Sequence, residues 1–353
     1  MTPACRHFGT CGGCTLYGLG ETEYRARKRD GIVAALAKHG VAADIGDAVR
    51  MPSHTRRRAV FRIVPRSGGI EIGFHAHRTH DVVDMRECLV LTPGLFALVD
   101  RLRAAMTPLL ADGQRLELHV TEAENGFDLA FRAQQKLNPT LTAALAAVAP
   151  ALDAVRITWN AVLAFERAAP FVRFGKASVK LPPDSFLQPT RQGEDALRAR
   201  VLRIVKGAKS VADLFCGCGT FSLSLAEQAR VHAVEREPAM LDALAAAARA
   251  APGLRPVTVA RRDLFKLPLT APELNGFDAV VLDPPRAGAE GQVRQLAQSK
   301  VPRLAYVSCD AASFARDAAI LVDGGYRIGT ITPVDQFLWS SHIELVAGFA
   351  RGR

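Results

Sequence analysis

Short apolar segments alternate with helical segments along the second half of the chain, and this alternation constrains the fold more than any other feature. The apolar segments, each five or six residues long, are Val211–Cys216, Val231–Glu235, Pro256–Ala260, Ala279–Asp283 and Leu304–Ser308. Such alternation is typical of a parallel sheet with helices on both faces. Two further segments, Tyr326–Thr332 and Glu344–Phe349, are predicted to add strands at the end of that sheet. The sequence therefore predicts an α/β domain with a mainly parallel sheet over residues 176–353.

The residues before this domain follow other patterns. Ser67-Gly68-Gly69 and Asn125-Gly126 each separate two runs of alternating apolar and polar residues, which indicates two hairpins. We therefore predict a smaller α+β domain over residues 49–175. It is preceded by a basic helix within residues 16–48, which we expect to pack on the α/β domain, and by a cysteine-rich segment over residues 1–15.

The chain carries a formal net charge of +10 over 353 residues. Lysine and arginine side chains near phosphates release condensed counterions, so this charge favours a polyanionic partner, either RNA or DNA. The candidate phosphate contacts are Arg25, Arg27, Lys28, Arg29, Arg56, Arg57, Arg58 and Arg62. For each of them a solvated surface charge is the alternative interpretation.

Cysteine content and hydropathy indicate the cellular compartment of the protein. No stretch approaches about 18 consecutive apolar residues, so no membrane span is expected. The first residues, Met1 to Phe8, lack the apolar run of a secretory signal. The chain has seven cysteines, an odd number that argues against a disulfide framework. We therefore expect a cytoplasmic protein whose clustered cysteines are metal ligands or catalysts.

The first predicted strand of the α/β domain runs into a glycine turn, Gly217-x-Gly219, that opens a helix. Glycines there let the backbone approach a ligand at the carboxyl end of the strand, although an ordinary tight turn is the alternative. The second strand ends at Glu235, which can accept hydrogen bonds from both hydroxyls of a ribose. Ser222 replaces the third glycine of a dinucleotide site, and Asp213 stands before the turn. A nucleoside cofactor other than a dinucleotide is therefore favoured.

Reactive side chains follow two later strands. Asp283 precedes two prolines, which stop the strand and stiffen the loop. Cys309 lies just past the fifth strand and is a nucleophile candidate, with a buried small hydrophobic residue as the alternative. Glu344 opens the last strand and is a candidate general base, with a surface glutamate as the alternative.

Five short motifs follow one another along the chain. They are Ser185-Phe186-x-Gln188, Asp213 to Gly219, Asp283 to Gly288, Ser308-Cys309 and His342-x-Glu344. In this order they resemble the S-adenosylmethionine-dependent RNA 5-methyluridine methyltransferases that act on 23S rRNA or tRNA, and the resemblance covers nearly the whole chain. The family usually has a proline and a threonine where Leu338 and Ser340 stand. The resemblance implies a class I (Rossmann-like) methyltransferase fold for residues 176–353.

The resemblance also implies roles for the site residues. It makes Cys309 the nucleophile and Glu344 the base. The residues it places around the cofactor and target base are Gln188, Phe215, Gly217, Gly219, Glu235, Asp263 and Asp283. For Asp263, near the adenine by this analogy, a helix N-cap is the alternative.

The chemistry of uracil explains why a cysteine is needed. C5 of the ring is too weak a nucleophile to attack a methyl sulfonium. A thiolate added to C6 gives C5 the character of an enolate carbon, which can attack. A base must then remove the C5 proton so that the thiolate can leave. Cys309 and Glu344 supply these two groups.

Four of the other cysteines are separated from the active-site motifs. Cys5, Cys11 and Cys14, with the distant Cys88, present thiolates that suit either an iron–sulfur cluster or zinc. The family resemblance implies a [4Fe–4S] cluster that staples the smaller domain. Cys216 and Cys218, in the glycine turn, are interpreted as packing residues.

The partner and the rival functions follow from the same resemblance. Because the sequence begins at the cysteine segment, we expect no N-terminal β-barrel RNA-binding module of the kind that some family members carry, and by analogy this favours 23S rRNA over tRNA. We expect a monomer that binds RNA in the smaller domain and flips the target uridine into the crevice between the domains.

A cytosine-C5 methyltransferase usually has Pro-Cys at the fourth strand, where Asp283-Pro284-Pro285 stands. A non-catalytic iron–sulfur RNA-binding protein is the other rival, and the intact Cys309 and Glu344 argue against it.

Overall fold

A computed structural model describes residues 5–352. Residues 1–4 of the predicted segment 1–15, and the last residue of the predicted α/β domain, lie outside this range. The helices are α1 (Glu21–Lys38), α2 (Pro93–Met106), α3 (Pro139–Val148), α4 (Arg191–Ile204), α5 (Ser222–Leu225), α6 (Pro238–Ala250), α7 (Ala271–Leu274), α8 (Glu290–Gln298) and α9 (Ala311–Asp323). A 3₁₀ turn, Thr107–Leu109, follows α2. Among these described helices, none combines the length and apolar character needed to cross a membrane.

The strands form two large sheets and one short hairpin. The first strands are β1 (Val49–Arg50), β2 (Arg58–Arg66), β3 (Gly69–His75), β4 (Val82–Asp84), β5 (Leu116–Ala123), β6 (Gly126–Ala133), β7 (Ala154–Trp159), β8 (Val162–Glu166), β9 (Phe171–Phe174) and β10 (Ala177–Lys180). The later strands are β11 (Ser210–Leu214), β12 (Arg230–Glu235), β13 (Val257–Arg261), β14 (Ala279–Leu282), β15 (Arg303–Ser308), β16 (Tyr326–Ile328), β17 (Thr332–Asp335) and β18 (Glu344–Arg351).

The larger sheet has the strand order β1-β17-β18-β15-β14-β11-β12-β13, with β16 also beside β18. The five strands β11 to β15 run parallel, and β18 pairs antiparallel with β15. Apolar cores cover both faces. The predicted α/β fold with a mainly parallel sheet is therefore confirmed, although β1, within the segment assigned to the smaller domain, pairs with β17 in this sheet.

The order of the parallel strands reverses between β11 and β14. From β11 the chain proceeds outward to β12 and β13, and it then returns to the other side of β11 as β14. At such a reversal the loops on the two sides diverge, which leaves a crevice at the carboxyl ends of the strands where ligands bind. The fold thus places its crevice at the end of the strand that leads into the glycine turn.

The smaller sheet has the order β4-β3-β2-β5-β6-β7-β8 and is packed against α2 and α3. Both predicted hairpins, β2–β3 and β5–β6, are confirmed. The β7–β8 hairpin was not predicted. Its turn residues Asn160 and Ala161 both have positive φ, 49° and 64°, but they lack the glycine by which such turns are recognised in sequence.

The end of the larger sheet also differs from the prediction. The segment Tyr326–Thr332, expected as one strand, is divided between β16 and β17. The division arises because Gly329 donates its amide to Gly348, whereas Ile331 donates to Asp44, in the segment before β1. In a regular strand the amides of residues two apart point to the same side, but these two bond to neighbours on opposite sides, so the chain bends between them.

Two of the candidate phosphate contacts lie inside the protein. Lys28, on α1, forms a buried ion pair with Asp335, with Nζ 2.8 Å from Oδ1. Arg57 forms a buried ion pair with Glu194 of α4 at 2.7 Å. The prediction that these two side chains contact phosphate is wrong, because burial leaves neither cation free to reach an RNA backbone. The helix α1 that carries Lys28 packs on α9.

Candidate active site

The ends of neighbouring strands bring the predicted catalytic residues to one edge of the larger sheet. The register of β11 against β14 places Phe215 beside Asp283, immediately past the two strands. The antiparallel register of β15 against β18 places Cys309 opposite Glu344. Because β14 and β15 are also neighbours, the acid, the thiol and the second acid share one end of the crevice.

The glycine turn after β11 has a backbone that few side chains tolerate. Phe215, Gly217 and Gly219 have φ values of 62°, 55° and 95°. A Cβ on Gly219 would stand 2.4 Å from Cδ1 of Leu244, whereas a Cβ on Gly217 would meet no atom within 4 Å. Gly219 therefore lets the turn pack on α6, and Gly217 faces open space in the crevice.

Asp213, in β11, anchors this turn from within the sheet. Its side chain is fully buried, and Oδ2 accepts a hydrogen bond of 2.5 Å from the hydroxyl of Ser222 at the start of α5. Within the described residues Oδ1 has no hydrogen-bond partner. Burial raises the pKa of Asp213 to about 7. The carboxyl thus ties the strand to the helix on the far side of the turn.

Glu235 and Asp263 lie at the ends of the next two strands. One oxygen of Glu235 accepts a hydrogen bond from the amide of Gly217 at 3.2 Å, and the other accepts from the amides of Arg236 and Glu237. Asp263 accepts from the amide of Phe265, which gives it a capping role in its own turn. The ring of Phe265 is about half exposed and contacts that of Phe215, with 5.4 Å between centroids.

The thiol of Cys309 lies in an acidic environment. Burial, together with the charges of Glu344 and Asp283, raises the pKa of Cys309 to about 11, although Arg286 acts to lower it. Burial also raises the pKa of Glu344, to about 7. Burial and the neighbouring Glu344 raise the pKa of Asp283 well above its ordinary value. The strand registers bring these three groups together, which is why each affects the pKa of its neighbours.

Gln336 and Arg286 complete this group, and neither was predicted as a site residue. Gln336 donates from Nε2 to Oε1 of the buried Gln188 at 2.7 Å and lies beside Glu344, whose pKa it lowers. The two glutamines are 148 positions apart, so no local pattern could pair them. Arg286 was visible in the motif after Asp283, but its proximity to Cys309 depends on the fold.

The four cysteines assigned to a cluster lie around one cavity, of about 200 Å³. Cys5, Cys11, Cys14 and Cys88 line it together with Arg56. Burial raises the pKa of Cys14 to about 12. Across residues 5–352, no group of three or more His, Cys, Asp or Glu side chains is arranged to hold a single metal ion. Cys216 and Cys218 are buried free thiols, as predicted.

Comparison with known proteins assigns the chain to a family. The model of the tRNA (uracil-5-)-methyltransferase family matches residues 173–349. An uncharacterized RNA methyltransferase of Brucella suis biovar 1 is 44% identical over 353 residues, which span all of this chain and 85% of that protein. The chain belongs to the tRNA (uracil-5-)-methyltransferase family. It is an S-adenosylmethionine-dependent RNA (uracil-5-)-methyltransferase, as the sequence predicted.

A further relative supports this assignment, and a solved structure shows the same fold. An uncharacterized RNA methyltransferase of Caulobacter vibrioides is 39% identical, over 99% of this chain and 86% of that protein. The structure of the Pyrococcus abyssi tRNA (uracil-54, C5)-methyltransferase in complex with S-adenosyl-L-homocysteine superposes with a TM-score of 0.76. At 23% identity it covers 96% of this chain and 85% of that one, and it confirms the class I methyltransferase fold. The finer assignment, to the iron–sulfur type that acts on 23S rRNA, stays a prediction.

The glycine turn generates a first test. We expect Gly219→Ala to weaken S-adenosylmethionine binding roughly 5- to 150-fold, because a side chain in this strained conformation against Leu244 costs about 1–3 kcal/mol. Isothermal titration calorimetry measures the affinity. The matched control is Gly253→Ala, whose φ is 78° and whose added Cβ meets nothing within 4 Å. Equal losses in both variants would show that the contact with α6 is unimportant.

Proposed function

We propose that this enzyme methylates C5 of a uridine in RNA through a covalent bond between Sγ of Cys309 and C6, and that Glu344 removes the C5 proton. The observation that carries this proposal is the position of Cys309 opposite Glu344 at the carboxyl end of β15. A nucleophile and a base on paired strands can reach the same ring. Asp283 lies just past the adjacent strand β14, between this pair and the glycine turn.

The first step is addition of the Cys309 thiolate to C6. The S–C6 bond forms, and the electrons of the C5–C6 double bond move toward O4. Arg286 favours the thiolate, since it lowers the pKa of Cys309. Glu344 and Asp283 oppose it while they are charged, and the raised pKa of each reduces that opposition. A carboxyl that keeps its proton can also donate a hydrogen bond to a substrate oxygen.

The second step transfers the methyl group to C5. When bound, S-adenosylmethionine supplies an electrophilic methyl on a sulfonium. The residues that we propose to hold it form the wall of the crevice from the turn to the acids. They are Gln188, Phe215, Gly217, Gly219, Glu235, Asp263 and Asp283. Glu235 fits the ribose because its oxygens are aligned by backbone amides, and the exposed ring of Phe265 beside Phe215 offers an apolar surface for the adenine.

The third step is elimination. The Glu344 carboxylate takes the C5 proton, the C5–C6 double bond re-forms and the Cys309 thiolate leaves. A base is most effective when its pKa lies near the working pH. Burial raises the pKa of Glu344 to about 7, so a large part of it is ionised near neutrality and it still binds a proton strongly.

The RNA approaches Cys309 from an open groove between α1 and α9. Arg27, Gly31, Ala311 and His342 line this groove together with Cys309. The target uridine must leave its stack to reach the thiol, so the enzyme flips the base. We keep 23S rRNA as the expected substrate and tRNA as the alternative, and we expect a monomer. Mapping of the RNA attached to the enzyme decides between the two substrates.

We propose that a [4Fe–4S] cluster is held in the cavity that the four cysteines line. The guanidinium of Arg56, which lines the same cavity, opposes the rise in the pKa of Cys14 that burial causes. Its charge therefore favours the thiolate that a metal requires. A four-iron cluster is wider than one ion, so its ligands need not converge on a single point. The cluster would join the N-terminal segment to the residues that precede α2.

The covalent mechanism predicts a trapped adduct. The probe is RNA from cells that lack this gene and were grown with 5-fluorouracil. Because fluorine at C5 cannot leave as a proton does, the wild-type enzyme with S-adenosylmethionine should form an adduct that survives a denaturing gel. Cys309→Ala should form none, and Cys218→Ala, the control, should form it normally. Absence of any adduct with cofactor-binding wild-type protein would favour the non-catalytic RNA-binding alternative.

The role of Glu344 predicts how proton removal depends on pH. Because burial raises its pKa to about 7, the basic form is lost as the pH falls below that value. Tritium release from RNA containing [5-³H]uridine should therefore fall roughly tenfold per unit below about pH 7. The rate of adduct formation with 5-fluorouridine RNA, measured at each pH, reports the thiolate step alone. Dividing the tritium release by this rate removes the effect of Cys309 ionisation. A corrected profile that stays flat would exclude Glu344 as the base.

The cluster proposal predicts iron and sulfide in the protein. Enzyme purified without oxygen should contain both in equal amounts and absorb visible light. Cys14→Ser should lose them, and Cys218→Ser should keep them. Wild-type protein that contains zinc and no iron would make the zinc alternative correct, without affecting the proposed methylation mechanism.

A further inference from the structure

We propose that Lys28 and Tyr24 of α1 are positioning residues that hold the loop 336–343 and thereby aim Glu344 at the C5 proton. This inference rests on the proposed function. It assigns to α1, a helix outside the residues matched by the family model, a specific part in the elimination step.

Lys28 is bonded to both ends of that loop. Its Nζ donates to Oδ1 of Asp335, just before the loop, at 2.8 Å and to the carbonyl of Phe337 at 3.2 Å. It also donates to the carbonyl of His342, two residues before Glu344. An ammonium group has three protons to donate, and all three have acceptors here. This buried cation therefore serves the loop and has no donor left for RNA.

Tyr24 holds the same loop from one helical turn earlier. Its hydroxyl donates to Oδ2 of Asp335 at 2.5 Å and accepts from the amide of Trp339 at 3.1 Å. Trp339 has a φ of 58°, a left-handed conformation that costs a bulky residue free energy and persists only where surrounding contacts impose it. Tyr24 is thus bonded to the residue at which the loop turns.

The loop bears on the side chain of Glu344, whose backbone is already paired with Val334 of β17. It begins at Gln336, which lies beside Glu344, and it ends at Ile343, just before the first residue of β18. Few of its backbone groups bond within the loop. One such bond is between the amide of Ser340 and the carbonyl of Phe337. Its conformation therefore depends on α1, and proton transfer requires Glu344 within hydrogen-bond reach of C5.

Cys309 lies outside the loop that Lys28 and Tyr24 hold. It follows β15, whose neighbours β14 and β18 fix its position through strand pairing. Loss of the α1 contacts should therefore leave addition and methyl transfer possible and slow only elimination. A displacement of about 1 Å can reduce a rate about 10²-fold. The enzyme would then remain attached to methylated RNA.

The test uses full-length, anaerobically purified enzyme, S-adenosylmethionine and ordinary RNA from cells that lack this gene. Lys28→Met and Tyr24→Phe should accumulate a covalent adduct with this uridine-containing RNA, as Glu344→Gln should, and release methylated RNA about 10²-fold more slowly than wild type. Lys28→Arg, which keeps the charge, should restore part of the release rate. The control is Lys38→Met, an exposed lysine on the same helix, which should behave as wild type.

The outcomes separate this proposal from the mechanism beneath it. Wild-type enzyme that forms no adduct with 5-fluorouridine RNA would refute the mechanism itself. If wild type and Glu344→Gln behave as expected, release at the wild-type rate by Lys28→Met and Tyr24→Phe refutes the positioning role. So does loss of the 5-fluorouridine adduct in variants that still bind S-adenosylmethionine, because the α1 contacts would then serve addition. Tyr24→Phe keeps the buried ion pair, so this variant alone tests the positioning role if Lys28→Met fails to fold.

Discussion

The antiparallel pairing of β18 with β15 is the constraint on which the active site depends. It sets a residue that follows one strand opposite a residue that opens the other, so Cys309 and Glu344 meet although 35 positions separate them in the sequence. A slip of one residue would turn Glu344 to the other face of the sheet. Such a slip is opposed because both strands are buried on both faces, where every side chain has packing partners.

The crevice combines this geometry with a surplus of carboxyl groups. Asp213, Glu235, Asp283 and Glu344 all lie along it, and burial or mutual repulsion raises the pKa of three of them. Those of the four carboxyls that are ionised attract a cationic sulfonium, and they attract its neutral thioether product less. The negative charge that makes the thiolate harder to form thus favours binding of the methyl donor and release of its product. Arg286 offsets part of the cost to Cys309.

The sequence was most informative where function is carried by short local motifs. The strand-end positions of Asp283 and Cys309 and the strained turn around Gly219 followed from segments of a few residues. The sequence was misleading where the role of a charged side chain depends on tertiary contacts that no local pattern shows. Lys28 belongs to a basic run on α1, yet it is buried while Arg27 beside it is exposed. Its partner Asp335 is 307 positions away, and no periodicity in the helix reveals such a pair.

The loop 336–343 shows why the enzyme cannot be understood from its methyltransferase domain alone. Lys28 and Tyr24 hold it from α1, and the amide of Leu16 donates to the carbonyl of Trp339. Leu338, Trp339 and Ser340 line the cavity of the four cysteines. A buried charged pair contributes little net stability compared with apolar packing, but it strongly penalises any arrangement in which the partners separate. The Lys28–Asp335 pair is therefore better suited to specifying one loop conformation than to stabilising the fold, and that conformation is what a precisely placed base requires.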